Sequence, residues 1–113
     1  MAEVIIVKSL QESINKKFKK ESIKIFELIY SLEENPNKGR LLGGVGGLLI
    51  KEIKYKSFRF YFIVNGTKIK CIDEENFVKL LLKFVSMSDK KQQQKTIEEI
   101  KRTLRLVGPS GFD

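Results

Sequence analysis

The sequence predicts an α+β fold in a single domain over residues 1–113. It consists of a small antiparallel β-sheet, two N-terminal helices packed on one of its faces, and a C-terminal helical extension. Apolar residues recur every three or four positions between Leu10 and Leu32, and again between Ile97 and Leu104, which is the period of an amphipathic helix. Phe58, Phe60, Phe62 and Val64 alternate with Arg59, Tyr61 and Ile63, which is the period of a strand. A chain of 113 residues builds one ordinary core but not two.

In chain order, Val4-Ile5-Ile6-Val7 is a β-branched run that suits a buried strand. Ser9 with Glu12 three residues on has the pattern of a capping box. Leu10, Ile14 and Phe18 then line one helical face, and Ile25, Leu28, Ile29 and Leu32 line a second. This is two helices, or one bent helix, breaking near Lys19–Ser22. Asn35-Pro36-Asn37 stops the helix. The run from Gly43 to Gly47 reads as a flexible connection into a strand, and no Gly-Lys-Ser/Thr ending makes it a phosphate-binding loop.

Residues Leu48–Asp73 read as an antiparallel meander. Lys56-Ser57 is one turn, and Asn65-Gly66 is the strongest hairpin signal in the chain. Thr67–Asp73 is then the return strand. Asp73 suits an N-cap, and Glu74 and Glu75 suit the positive end of a helix dipole, so Asn76–Met87 reads as a helix, with a strand over Leu80–Val85 as the alternative. Ser88 or Asp89 caps a last helix that Gly108-Pro109 ends, and Ser110–Asp113 is expected to fray.

The composition excludes several kinds of chemistry. With no His, triads, Cys–His dyads and histidine metal sites are ruled out. Cys71 stands alone, so there is neither a disulfide framework nor a zinc cluster, which fits a cytoplasmic protein. Cys71 itself reads as a buried thiol on the apolar face of the sheet. No apolar run approaches the ~20 residues of a membrane span, and Met1–Val7 is too short for a signal peptide, so no membrane partner is expected. Lys and Arg number 22 against 14 Asp and Glu, a net charge of +8, and a small domain this basic calls for an anionic partner.

Two-residue turns would set the register. At Asn65-Gly66, Val64 would face Thr67, Phe62 would face Ile69 and Phe60 would face Cys71 on the apolar side, with Tyr61–Lys70 and Ile63–Lys68 on the other. At Lys56-Ser57, Tyr55 would face Phe58 and Ile53 would face Phe60 on the apolar side, with Lys54–Arg59 and Glu52–Tyr61 opposite. The outer face is thus expected to gather Glu52, Lys54, Arg59, Tyr61, Lys68 and Lys70. Like charges opposite each other repel, and an anion seated above them relieves this. A phosphodiester there takes two parallel hydrogen bonds from Arg59, while Tyr61 stacks on a base or donates a proton. The alternative is a solvated face of snorkelling lysines. In either case Arg59 lies away from the core, and truncating it is expected to change stability by about half a kcal/mol at most.

The element order and several short motifs resemble the RelE/ParE superfamily of toxin–antitoxin toxins. Asn35-Pro36-Asn37-Lys38-Gly39 through Gly43–Gly47 is similar to its "Asn-Pro … Leu-x-Gly-Leu-Gly-Gly-Leu" segment, and Leu49 through Tyr55 to its "Leu-Tyr-Glu-Ile-Arg" strand. Phe58 through Val64 resembles "Tyr-Arg-Ile-Phe-Tyr". Lys90-Lys91, Lys95-Thr96 and Glu98-Glu99-Ile100 resemble the basic tail of the HigB-like branch. The resemblance implies a RelE-like fold and an endoribonuclease that cuts mRNA, often on the ribosome, and is silenced by a cognate antitoxin. It also implies a reaction with no metal or other cofactor, in which the ribose 2′-OH attacks the adjacent phosphorus. Arg59 matches the family's phosphate-clamping arginine, Lys54 a basic residue on the preceding strand, and Lys90 or Lys91 the basic residue after the meander. Tyr61 joins these as a catalytic candidate, and Lys51, Lys56, Lys68 and Lys70 are candidate RNA contacts.

The chain departs from the family pattern in three places. Phe58 stands where the family often has Tyr, Ser86–Arg105 contains no His or Tyr, and Glu74–Met87 looks like an insertion. The alternative function is a non-catalytic module of the same fold, whose basic face holds an antitoxin, RNA or another protein.

Overall fold

The computed structural model describes residues 2–70 and 76–112. Strand β1 (Ala2–Ile6) leads into helix α1 (Lys8–Phe18), a 3-10 turn at Lys19–Glu21, and helix α2 (Ser22–Tyr30). After a second 3-10 turn at Ser31–Glu33 come β2 (Arg40–Val45), β3 (Leu48–Tyr55), β4 (Phe58–Lys70) and β5 (Asn76–Asp89). Helix α3 (Gln93–Val107) and a 3-10 turn at Pro109–Phe112 complete the order. The five strands form one mixed sheet in the order β1-β5-β4-β3-β2, with β1 parallel to β5. The α+β class is as expected, but the sheet is larger than a three-stranded meander and is not purely antiparallel.

The N-terminal half follows the sequence pattern. The helical stripe breaks at Lys19–Glu21, where Ser22 Oγ donates to the Lys19 carbonyl at 2.5 Å. Ser9 does not cap α1: the helix starts two residues earlier than a Ser9 cap implies, at Lys8, with Val7 at the cap and no side-chain cap bond. The Val7 N–H is instead committed to Phe84 O at 3.0 Å, which draws the chain into helix directly from β1. Leu10, Ile14, Ile25, Ile29 and Leu32 are buried on one side of the sheet together with Ile53, Phe60 and Phe62. Phe18 packs edge-on against Tyr55 and Phe58, so the two N-terminal helices do cover the predicted face.

The glycine run is ordered structure and not a flexible connection. Gly43 and Gly44 lie in β2 beside a bulge, and Gly46-Gly47 is the two-residue turn into β3. Both turn glycines have positive φ, 55° and 83°, which is what a tight hairpin of this kind needs. The Lys56-Ser57 turn and its register are as expected, with Lys54 opposite Arg59 and Glu52 opposite Tyr61.

The Asn65-Gly66 turn does not form. Both residues lie inside β4, opposite Leu81 and Leu80, and the expected pairs of Val64 with Thr67 and Phe62 with Ile69 are absent. Thr67–Lys70 continue β4. Cys71, Asp73, Glu74 and Glu75, and the roles assigned to them, lie outside the described residues. The predicted helix over Asn76–Met87 is a strand, longer than the alternative at Leu80–Val85. The physical reason is shared by both corrections. A strand over residues 76–89 pairs with β4 from Phe58–Asp89 to Lys70–Asn76 and with β1 on its other edge. A strand buried between neighbours reads as a continuous apolar run, which periodicity alone does not distinguish from a buried helix. The long ladder, with Phe62 stacked on Phe84 at 4.6 Å, outweighs a two-residue turn preference.

On the second face lies α3, against β5 and β2, with Ile97, Ile100 and Leu104 buried. Neither Ser88 nor Asp89 caps α3: the N-cap is Gln92, with no side-chain cap bond, and Asp89 Oδ1 accepts the Gln92 N–H at 2.9 Å to close the turn that leads into the helix. The C-terminal turn is docked and not frayed: Lys83 Nζ donates to the Pro109 carbonyl at 2.9 Å, and Phe112 packs against the core. Asp113 lies outside the described residues. Among the described residues, no helix is long and apolar enough to cross a membrane.

Candidate functional site

The β3–β4 hairpin places Lys54 and Arg59 side by side, as the sequence predicts, but the face they share is not open. The apolar stripe of α3 needs a partner, and the outer face offers buried Ile50 and Ile63 along with the polar residues. Their register positions and the unpartnered stripe are the sequence signal that the face is covered. Arg59 and Tyr61 are therefore buried, not exposed, and a core role for Arg59 follows.

Arg59 sits 3.8 Å, Nε to Oε2, from Glu52, with side chains 9% and 1% exposed. Its Nη1 donates to the Ser57 carbonyl at 3.4 Å. The Nε–H is buried with no hydrogen-bond partner among the described residues, since the Glu52 carboxylate lies beyond hydrogen-bond reach. Gln93, the first residue of α3, donates its side-chain amide to both Glu52 oxygens at 3.4 and 3.2 Å. Glu52 is thus held between the guanidinium and the start of α3. Reading the sequence placed Glu52 on this face but gave no role to it or to Gln93.

Tyr61 is fully buried and its hydroxyl lies 2.7 Å from Ser88 Oγ. Ser88 Oγ donates its single proton to the Asp89 carbonyl at 2.9 Å, so Tyr61 is the donor to Ser88. Burial holds the Tyr61 phenol above its ordinary pKa of 10.0, against the opposing pull of the Ser88 hydrogen bond. A phenol closed off in this way neither stacks on a base nor donates to a bound substrate.

The other candidates divide by position. Lys54 is exposed beside Arg59, and Lys90 and Lys91 are exposed in the turn that follows Asp89, the register partner of Phe58. These cations share one end of the sheet. Lys56 is at the same end, 2.6 Å from Glu21, and this contact raises the Lys56 pKa and lowers that of Glu21. Lys51 donates to the Asn37 carbonyl at 3.3 Å and does not join the group. Lys68 and Lys70 do not either. With no turn at Asn65-Gly66 they run on along β4, about 30 Å and about 36 Å of strand beyond Arg59 at ~3.3 Å per residue, and Lys68 pairs with Val78 in place of Ile63.

A cleft of about 300 Å³ opens at the cationic end, lined among others by Lys17, Phe58, Ser88, Asp89 and Lys95. Lys17 Nζ lies 4.9 Å over the Phe58 ring. Among the described residues, no three His, Cys, Asp or Glu side chains come together as metal ligands. Chemically, the arrangement offers solvated lysine charge in front and a guanidinium with a buried, unpartnered Nε–H behind. We found no matching family model, no similar curated protein and no similar solved structure for this chain.

Proposed function

We propose that the chain is the toxin of a type II toxin–antitoxin system with a RelE-like fold, a metal-independent endoribonuclease that cuts mRNA, free or on the ribosome. The observation that carries the reading is the unpartnered Nε–H of Arg59, a buried donor at the sheet end where Lys54, Lys90 and Lys91 collect. An unmet buried donor costs ~1–3 kcal/mol, and a phosphate oxygen satisfies it. The strand–helix–helix–sheet–helix order also supports the reading, because it is the order the sequence resemblance implies.

In this mechanism the ribose 2′-OH loses its proton to solvent as its oxygen attacks phosphorus, the P–O5′ bond breaks, and the leaving 5′-oxygen takes a proton from solvent, giving a 2′,3′-cyclic phosphate and a 5′-hydroxyl. Arg59 neutralises the charge that builds on the phosphorane, and Lys54 with Lys90 or Lys91 adds point charge from solvent. Glu52 and Gln93 must shift to let a phosphate reach the guanidinium. Tyr61 takes no part while its proton is held by Ser88.

The second reading is the non-catalytic module that holds an antitoxin, RNA or another protein. The full pairing of Tyr61 and the Glu52 countercharge on Arg59 favour it.

The test is incubation of purified protein with a defined mRNA, alone with EDTA present and, without EDTA, in a translating extract. Cleavage leaving 2′,3′-cyclic phosphate and 5′-hydroxyl ends is expected. Arg59→Lys keeps part of the rate, because an ammonium lacks the guanidinium fork, and folded Arg59→Ala loses a hundredfold or more. No scission in either setting by folded protein overturns the nuclease in favour of the module.

A further inference from the structure

Among the described residues, two that are not glycine hold a positive φ, and both are lysines: Lys19 at 51° and Lys56 at 54°. Each stands where glycine is the favoured residue. Lys19 closes α1, and Lys56 is the first residue of the two-residue β3–β4 turn. A side chain in this backbone region carries strain, and retained strain gathers at functional sites.

The two positions meet in the fold. Lys56 Nζ reaches Glu21 at 2.6 Å, and Phe18 packs on Tyr55 and Phe58, so the α1–α2 corner and the β3–β4 turn form one end of the molecule. The β5–α3 connection arrives at the same end, since Lys17 of α1 and Lys95 of α3 line one cleft with Asp89. The corner contributes Lys16, Lys17, Lys19 and Lys20, all exposed and none with an ion-pair partner among the described residues. Like charges packed together repel, and here Lys19 also sits on strained backbone, as Lys56 does in the adjoining turn. A bound polyanion relieves the repulsion and gives the strained lysines a use.

We propose that this lysine-rich end is a track for the sugar–phosphate backbone of RNA, running from beside Arg59 over the β3–β4 turn to the α1–α2 corner. The choice of RNA as the polyanion rests on the endoribonuclease reading. The track extends the site to a helix corner that takes no part in the chemistry.

The experiment measures anisotropy of a fluorescent, fully 2′-O-methylated RNA oligonucleotide, which binds but is not cut, from low to moderate salt. The triple variant K16Q/K19Q/K20Q is compared with K8Q/R102Q/R105Q, which removes the same charge from exposed positions elsewhere. The corner variant is expected to lower the slope of log affinity against log salt by about 2, at ~0.7 per phosphate contact, while the control leaves it near the parent's. K19G/K56G is expected to melt no lower than the parent yet bind RNA more weakly, an outcome that a purely structural role for these lysines does not produce.

Equal slopes in both triple variants, or a parent that does not bind, overturn the track. Equal affinity and equal corner dependence with a polyglutamate peptide overturn RNA as the occupant. RNA scission by a parent whose corner variant binds normally removes the track and leaves the nuclease reading standing. Corner-dependent binding without scission does the reverse.

Discussion

Removing Arg59 is expected to destabilise the fold, and the size of the loss follows from its surroundings. Glu52 is 1% exposed, and its carboxylate has two described partners, the guanidinium 3.8 Å away and the Gln93 amide. Two unit charges at that distance attract by about 4 kcal/mol at an effective dielectric of ~20. Arg59→Ala leaves the Glu52 charge buried with one neutral donor group, and breaking a buried pair from one side costs ~3–5 kcal/mol. The variant recovers part of this, because the unmet Nε–H disappears with the side chain. A net loss of about 3 kcal/mol is expected.

The pair as a whole is worth much less than that. Replacing both partners by Met is expected to leave stability within ~1 kcal/mol of the parent, since apolar substitutes for buried ion pairs are often neutral or stabilising. Urea unfolding followed by far-ultraviolet circular dichroism gives the stabilities of the parent, Arg59→Met, Glu52→Met and the double variant, which close the cycle, with Arg59→Ala measured beside them. The reasoning is refuted if Arg59→Ala costs half a kcal/mol or less, the value expected for an outward-facing arginine, or if the double variant is as unstable as Arg59→Ala.

Three further outcomes follow from the packing. Tyr61→Phe removes the donor to Ser88 and is expected to cost about 1 kcal/mol. In the parent the raised phenol pKa contributes stability that is present below pH 10 and lost as pH rises further, so one of the three tyrosines should ionise late in an absorbance titration at high pH, and the late phase should be absent from Tyr61→Phe. Gly39 has φ 110°, and a β-carbon there would meet the Glu52 carbonyl and the Phe62 ring at 3.0 Å, so Gly39→Ala is expected to lower Tm by roughly 5–10 °C, and an unchanged melting curve would count against the close approach. Ile100 is 2% exposed, so Ile100→Ala is expected to lose about 2–5 kcal/mol, whereas a loss below 1 kcal/mol in denaturant unfolding would mean that α3 is not docked on the sheet.

What the sequence determined by itself is what near neighbours decide. The stripes of α1 and α2, their break at Lys19–Glu21 and the Lys56-Ser57 turn each rest on residues a few positions apart, and so does the pairing of Lys54 with Arg59. The cationic end was legible to the same extent, because Lys54, Lys90 and Lys91 flank turns that local signals mark. Tertiary structure decided the rest. Leu80-Leu81-Leu82 suits a buried helix or a central strand equally, and the choice fell to β1 and β4, which supply hydrogen-bond partners on both edges of β5. Asn65-Gly66 lost its turn to that same ladder. The burial of Arg59 beside Glu52 was set by α3, an element more than thirty residues further along the chain whose apolar stripe had to cover something. Local sequence sets backbone period and turn chemistry, but which face of a sheet meets water depends on what packs against it, and that is a long-range property.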